Sequence, residues 1–416
     1  MNTGESGRKK NISIFIVDDD KFTTEVHAKA LESAGYQVSI ETSSDNALLR
    51  IQSERPDVVL LDIMMPGIDG LEICRELRRQ REFDDTKIVM VSAKSYEFDK
   101  KRAFKLGANG FLVKPVTREA LVEKLERIVE DKIELTFWGL RGTLPVPGEK
   151  SLRYGGNTSC VSLEFPNEQF FIFDAGTGIK VLSNHLLGMG RTRFEAKIFI
   201  SHPHWDHINA LPFFVPLFMQ GNEFEIYGAK HGDVSMRELI SSQMDDVYFP
   251  ITVREFASHV IYHDLREETI SIDGIKVSTK LLSHPGYCLG YRIEYGGRSV
   301  CYITDNELYL ETDPSHNPQY ENDLAKFVQG TDYLITDTTY TYKEYQTKVG
   351  WGHSCVDKVV ALAHEAGVKN LCLFHHDPDQ TDEAIDAKLE VACRLLDELG
   401  SDTKCLAPSE GTLIKL

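Results

Sequence analysis

Residues 201–207 read SHPHWDH, three imidazoles and a carboxylate within seven positions. Histidine nitrogen and carboxylate oxygen, with no thiolate among them, suit Zn²⁺, Mn²⁺ or Fe. The apolar run KIFIS (197–201) leads into the stretch, so it reads as the tip of a buried strand. From such a tip His202 and His204 can turn toward one point. A single ion cannot take all four side chains from so short a loop without strain. Two adjacent ions can, one through His202 and His204, the other through Asp206 and His207. Further donors stand where other apolar runs end: His284 after TKLLS, Asp305 after SVCYIT, and His375 or His376 after NLCLF. The Asp305 carboxylate could bridge both ions. His375, first past its run, is the favoured ligand, with His376 behind it as support.

A second set of oxygen donors lies in the first third of the chain. ISIFIV (12–17) is followed by Asp18, Asp19 and Asp20, and DVVLLD (57–62) ends in Asp62. KIVMVS (87–92) ends in Ser92, and GFLVKP (110–115) carries Lys114. Carboxylates converging from two strands need a cation, and oxygen ligands with room for water suit Mg²⁺. A lysine and a hydroxyl at the same rim supply a point charge and a hydrogen bond to a transferred phosphoryl group.

The elements around these residues set their positions. Helical spacing at 21–34, 43–53, 70–80, 97–106 and 117–130 alternates with the four apolar runs. That pattern predicts an α/β domain, a parallel sheet covered on both faces, with its site beyond the carboxyl ends of the strands. In the first helix Phe22, Val26, Ala30 and Leu31 form the expected apolar face. The helix at 117–130 passes directly into the strand KIELTFWG, with no flexible linker. Beyond 133 strands dominate first, and helices follow near 355–367 and 382–399, so two sheets with outer helices are expected. ALPFFVPLFMQGN (210–222) reads equally as a roof, a core segment or a dimer surface. The glycines of RYGGNTSC (153–160) would let that turn approach the site.

A length of 416 residues suggests two or three domains at roughly 100–200 residues each. The boundaries read as 1–131 and 132–416. Hydrophobic residues at 42% supply ordinary cores, and a net charge of −18 lacks the footprint of a duplex-DNA binder. The polar start MNTGESGRKK has no apolar signal-peptide core, and no run approaches the roughly 18 apolar residues of a membrane span. Eight scattered cysteines without a CxxC pair read as reduced thiols in a cytoplasm. No helix-turn-helix pattern follows the first domain, so the output is not expected to be transcription.

The stretches IVDDD, LLDIMMPGIDG, VSA and FLVKP closely resemble a response-regulator receiver domain over about residues 11–130. The resemblance implies a flavodoxin-like (βα)5 fold in which Asp62 accepts a phosphoryl group from a cognate histidine kinase. It implies Mg²⁺ on Asp18, Asp19, Asp62 and the Met64 carbonyl, phosphate contacts from Ser92 and Lys114, and an aromatic switch at Phe111. DAGTG, with Asp174, and HPHWDH resemble the metallo-β-lactamase superfamily over roughly 133–416. That implies an αββα sandwich with a dinuclear site at its rim. LGYRIEYGGRSVCYITD and TDTTYTYKEYQTKVGWGHSCV are similar to phosphodiesterase-type members, ribonuclease Z among them. No tRNA-clamping arm is recognisable, which puts tRNA processing in doubt. In that branch His353 would contact the scissile phosphate or protonate the leaving oxygen, and Asp206 would ligate metal and orient the attacking water.

The combined expectation is a two-component response regulator with an enzymatic output, a phosphodiesterase acting on a small phosphodiester, a nucleotide or a cyclic nucleotide. Zinc heads the candidate metals, with Mn or Fe as alternatives. The segment from about 96 to 130 would transmit the signal, for which receiver homodimerisation is one route. No membrane partner is expected. Two rivals remain: hydrolysis of a lactone, thioester or β-lactam on the same fold, and a non-catalytic module binding a nucleotide or a protein.

Overall fold

The computed structural model describes residues 12–93, 97–191, 193–247 and 249–416. The polar start of the chain and Tyr96, at the edge of the expected transmitting segment, lie outside the described residues. The chain divides into two compact units, 1–133 with 165–168, and 134–164 with 169–416.

The first unit is a five-stranded parallel sheet in the order β2-β1-β3-β4-β5. Its strands are β1 (Ser13–Val17), β2 (Gln37–Glu41), β3 (Val58–Asp62), β4 (Lys87–Ser92) and β5 (Gly110–Val113). Its helices are α1 (Lys21–Ser33), α2 (Ser44–Glu54), α3 (Gly70–Arg78), α4 (Glu97–Lys105) and α5 (Arg118–Glu130). Strand residues alternate between two cores. Phe15, Val17, Val59, Leu61 and Met90 pack with α2 and α3 on one face. Ile14, Ile16, Leu60 and Val91 pack with α1 and α5 on the other. Both faces are therefore dry, which is why these strands are continuous apolar runs rather than alternating ones.

Helix α1 corrects one expectation. Phe22 and Val26 are exposed, and the buried face is Thr24, His27, Ala28, Ala30 and Leu31. Asp20 caps the helix by accepting from Phe22 N, and the Thr24 hydroxyl bonds back to the carbonyl of Asp20. The stripe that packs on the sheet runs through 24, 27, 28 and 31, at i, i+3, i+4 and i+7, and leaves Phe22 and Val26 off it.

The second unit has two seven-stranded sheets. The first holds β6 (Glu134–Gly139), β7 (Cys160–Glu164), β8 (Phe170–Phe173), β9 (Glu195–Ile200), β10 (Glu223–Ala229), β11 (His259–Leu265) and β19 (Leu413–Lys415). The second holds β12 (Thr269–Ile272), β13 (Ile275–Leu281), β14 (Leu289–Tyr295), β15 (Arg298–Ile303), β16 (Tyr333–Asp337), β17 (Asn370–Phe374) and β18 (Lys404–Leu406). Their inner faces meet through aromatic rings. Phe173 lies 5.5 Å from Tyr302, and Phe199 lies 5.4 Å from Tyr291. Truncating a buried ring such as Phe199 to alanine would cost about 3–5 kcal/mol.

Helices α6 (Gly178–Gly188) and α8 (Met236–Gln243) cover the first sheet; α9 (Pro318–Val328), α11 (Val356–Glu365) and α12 (Asp382–Glu398) cover the second. Two single turns, α7 (Trp205–Ile208) and α10 (Tyr342–Tyr345), complete an αββα sandwich. Leu211, Phe214 and Leu217 are fully buried against α6, so the aromatic segment after the histidine stretch is mostly core. Among the described residues no helix is long and apolar enough to cross a membrane. All eight cysteines are free, six of them buried.

Candidate metal centre and phosphoacceptor pocket

Seven side chains in the second unit meet at the carboxyl ends of strands from both sheets. They fall into two groups that share Asp305: His202, His204, His284 and Asp305, and Asp206, His207, Asp305 and His375. Strand β9 delivers His202, and α7 follows at once with Asp206 and His207. Strands β13, β15 and β17 lead into His284, Asp305 and His375.

In the first group His204 Nδ1 lies 2.8 Å from His202 Nε2 and 3.1 Å from His284 Nε2. Asp305 Oδ2 faces His202 and His284 at 3.5 and 3.6 Å. In the second group His207 Nε2 is 3.2 Å from both Asp206 Oδ2 and Asp305 Oδ1. His375 Nε2 is 3.2 Å from Asp206 Oδ2 and 3.1 Å from Asp305 Oδ1. The two Asp305 oxygens therefore point into different groups.

These residues fit a pair of divalent ions. Donors on a tetrahedron with bonds near 2.0–2.1 Å stand roughly 3.3–3.4 Å apart, close to most of the observed separations. His207 Nε2 is fully buried without a hydrogen-bond partner. A divalent ion between this nitrogen and the two carboxylates facing it would satisfy all three. Every donor is nitrogen or oxygen, which suits Zn²⁺, Mn²⁺ or Fe.

Surrounding groups fix the ring orientations. Asp174 Oδ2 lies 2.7 Å from His207 Nδ1 and also accepts from Ser201 Oγ and Tyr302 Oη. That leaves the His207 Nε2 lone pair for an ion. His284 Nδ1 donates to the Gly352 carbonyl at 2.8 Å, and His375 Nδ1 lies 3.1 Å from Thr339 Oγ1. Asp206 Oδ2 also accepts from Thr143 N at 2.7 Å. Burial alone would raise the Asp206 and Asp305 carboxyls, but the surrounding imidazoles hold both well below the usual range. Burial likewise pushes His202 well below its ordinary value.

His353 stacks on His375, with ring centroids 4.9 Å apart, and its Nδ1 is 2.8 Å from Asp337 Oδ2. Burial would lower the His353 pKa, but the Asp337 carboxylate lifts it to about 9. His376 stands outside the donor groups. Its ring is buried with both nitrogens unpaired, edge-on to Tyr154.

Sequence reading missed four contributors. Asp337 orients His353. Thr339 links Asp337 to His375. Glu307, buried, accepts from Tyr345 Oη, Gly350 N and Gly352 N, and so holds the turn whose carbonyl binds His284. Gly142 passes so close to His375 that a Cβ would overlap the ring. The glycines of 153–160 approach other partners instead, since Gly155 packs on Glu410 and Gly156 on the Val146 carbonyl.

In the first unit, Asp18, Asp19 and Asp62 form one carboxylate group at the ends of β1 and β3. Lys114 Nζ is 2.8 Å from Asp18 Oδ2 and 3.2 Å from Asp62 Oδ1. Ser92 is buried at the end of β4, Met64 is half-exposed two residues past Asp62, and Phe111 is buried in the sheet's core. Burial and the two other aspartates raise Asp62 to about 6 against the opposing pull of Lys114.

The family model described as a response regulator receiver domain matches residues 14–126, and that described as a beta-lactamase superfamily domain matches 171–376. Among solved structures, the metallo-beta-lactamase fold protein YhfI from Bacillus subtilis is 18% identical with a TM-score of 0.50, covering 69% of this chain and 100% of that one. A diphosphatase described as from the PhnP family is 18% identical with a TM-score of 0.48, covering 68% and 97%. The chemotaxis response regulator CheY4 of Vibrio cholerae is 31% identical with a TM-score of 0.27, covering 28% of this chain and 97% of that one.

Proposed function

We propose that this chain, which joins a response regulator receiver domain to a beta-lactamase superfamily domain, is a phosphorylation-controlled phosphodiesterase acting on a nucleotide or cyclic nucleotide. One observation carries the reading. A single carboxylate, Asp305, presents its two oxygens to two separate nitrogen-and-oxygen donor groups, beside a histidine paired with a buried aspartate.

His202, His204, His284 and Asp305 would hold one divalent ion, and Asp206, His207, Asp305 and His375 the other. Such a pair makes water nucleophilic near neutral pH and neutralises charge on phosphoryl oxygens. The chain's own groups do the rest. Asp206 orients the attacking water by a hydrogen bond. As the new phosphorus–oxygen bond forms, the bond to the leaving oxygen breaks. His353 delivers the Nε2 proton to that oxygen, because Asp337 occupies Nδ1. Thr143 N holds Asp206 in place meanwhile.

In the first unit Asp62 would accept a phosphoryl group from a histidine kinase. Asp18, Asp19, Asp62 and the Met64 carbonyl would hold Mg²⁺, while Lys114 and Ser92 would meet the phosphoryl oxygens. Phosphorylation adds about −1.5 to −2 charge at that strand end. Phe111 would report it.

The test is hydrolysis of bis(p-nitrophenyl) phosphate and a panel of nucleotides and cyclic nucleotides, beside carboxyl-ester, lactone, thioester and β-lactam substrates. Each is run with and without acetyl phosphate. Diester turnover that changes on phosphorylation, and does not change in Asp62→Asn, is expected. Turnover of carboxyl substrates alone, or nucleotide binding without turnover, would overturn the reading.

A further inference from the structure

A hollow of about 280 Å³ opens beside the first donor group, lined by His231, Leu281, Leu282, His284, Gly286 and Tyr287. His284 belongs to both: it lines the hollow and stands 3.6 Å from Asp305. On the sequence side, His231 comes from the loop after β10, and Tyr287 from the turn between β13 and β14. Their rings meet edge to face, 5.2 Å apart at 80°. Between the donor group and this ring pair the backbone carries Gly286, whose absent Cβ would have only His204 Nε2 at 3.5 Å and His231 Cε1 at 4.0 Å nearby. A side chain at this position would thus begin in contact with both imidazoles.

Tyr287 is held at φ +55°, directly after Gly286 at φ +96°. A bulky aromatic residue rarely adopts that conformation, which persists where the surroundings enforce it. Tyr287 is 53% exposed and lines the hollow.

The lining is chemically specific. It offers leucine surface and aromatic edges and contains no carboxylate, ammonium or guanidinium. A neutral planar ring suits it, because bases stack on aromatic side chains whatever their identity. The volume sits near the lower end of the roughly 300–1,000 Å³ of small-molecule pockets, enough for one nucleoside rather than a polymer segment.

We infer that this hollow is the base-binding subsite, in which Tyr287 and His231 receive the nucleobase of a nucleotide whose phosphate lies at the donor groups. The inference rests on the phosphodiesterase reading and names the part of the substrate that reading leaves open.

The test is calorimetric titration of the metal-loaded full chain with AMP and with ribose 5-phosphate. AMP is expected to bind about tenfold more tightly. That advantage disappears in Tyr287→Ala and in His231→Ala, and survives in Tyr287→Phe, which keeps the ring. Metal content at the wild-type level in each variant reports an intact donor set. Equal affinity for the two ligands, no AMP binding, or an advantage that survives both alanine variants overturns the subsite. Such a result alongside turnover of bis(p-nitrophenyl) phosphate removes the subsite alone. Absence of turnover on every diester removes the reading beneath it.

Discussion

Nδ1 of His353 lies 2.8 Å from Oδ2 of Asp337, a carboxylate with no exposed surface. The pair fixes which nitrogen of His353 is left to give a proton. His353→Ala is expected to lower kcat about 10²–10⁴-fold on a nucleotide diester, the usual worth of a general acid. With a p-nitrophenyl leaving group, which departs without a proton, the loss shrinks sharply. Asp337→Asn should follow the same split. Steady-state kinetics on the two substrates check this, and equal losses on both would count against the acid role.

Gly142 has room for no side chain, because a Cβ there would overlap the His375 ring. Gly142→Ala therefore pushes His375 away from Asp206 and Asp305. Metal analysis after dialysis is expected to find about one equivalent fewer than in the wild type, with a stability loss of about 1–3 kcal/mol from overpacking.

Glu307 accepts hydrogen bonds from Gly350 N and Gly352 N, both at 2.7 Å, and Gly352 in turn accepts from His284. Glu307→Gln keeps the size and loses the charge. Metal affinity is expected to fall about 10–100-fold, as for other groups that orient a ligand. Competition with a chelator measures it.

Much of this was legible in the sequence, because strand tips concentrate chemistry. HPHWDH, His284, Asp305 and His375 each follow a buried apolar run, and the fold brings those runs' ends together. Asp337 sits at a strand end too, in DYLITD, but it acts through His353 and Thr339 and carries no spacing of its own. Glu307 and Gly142 act across long sequence separations, Glu307 through backbone amides and Gly142 through an absent atom. Edge strand β2 escaped for a different reason: it is only half-buried and lacks an apolar run. Helix α1 kept its predicted span, but its buried stripe includes the polar Thr24 and His27 in place of Phe22 and Val26, which a reading of apolar residues alone does not find.

Asp62 is raised from its ordinary 3.8 to about 6 in the folded protein, first by burial. The native state then holds that proton more tightly than the unfolded chain. Its contribution to stability without Mg²⁺ is full below about pH 4 and is lost as pH rises through about 6. Asp62→Asn, which cannot ionise, is expected to remove that dependence and to stabilise the Mg²⁺-free first unit at neutral pH by about 1–2 kcal/mol. Mg²⁺ bound at the proposed site would have to displace the same proton, so its affinity should drop about tenfold for each pH unit below about 6. Magnesium titrations near pH 5 and near pH 7.5 test the sign, and equal affinities would contradict it.

Metal stoichiometry probes the central claim most directly. Elemental analysis of the purified full chain is predicted to find about two transition-metal ions per molecule. Asp305→Ala, which removes the carboxylate shared by both donor groups, should lose both, while His284→Ala and His375→Ala should each lose one. A wild-type protein without transition metal, or an Asp305→Ala variant that keeps both ions, would contradict the account.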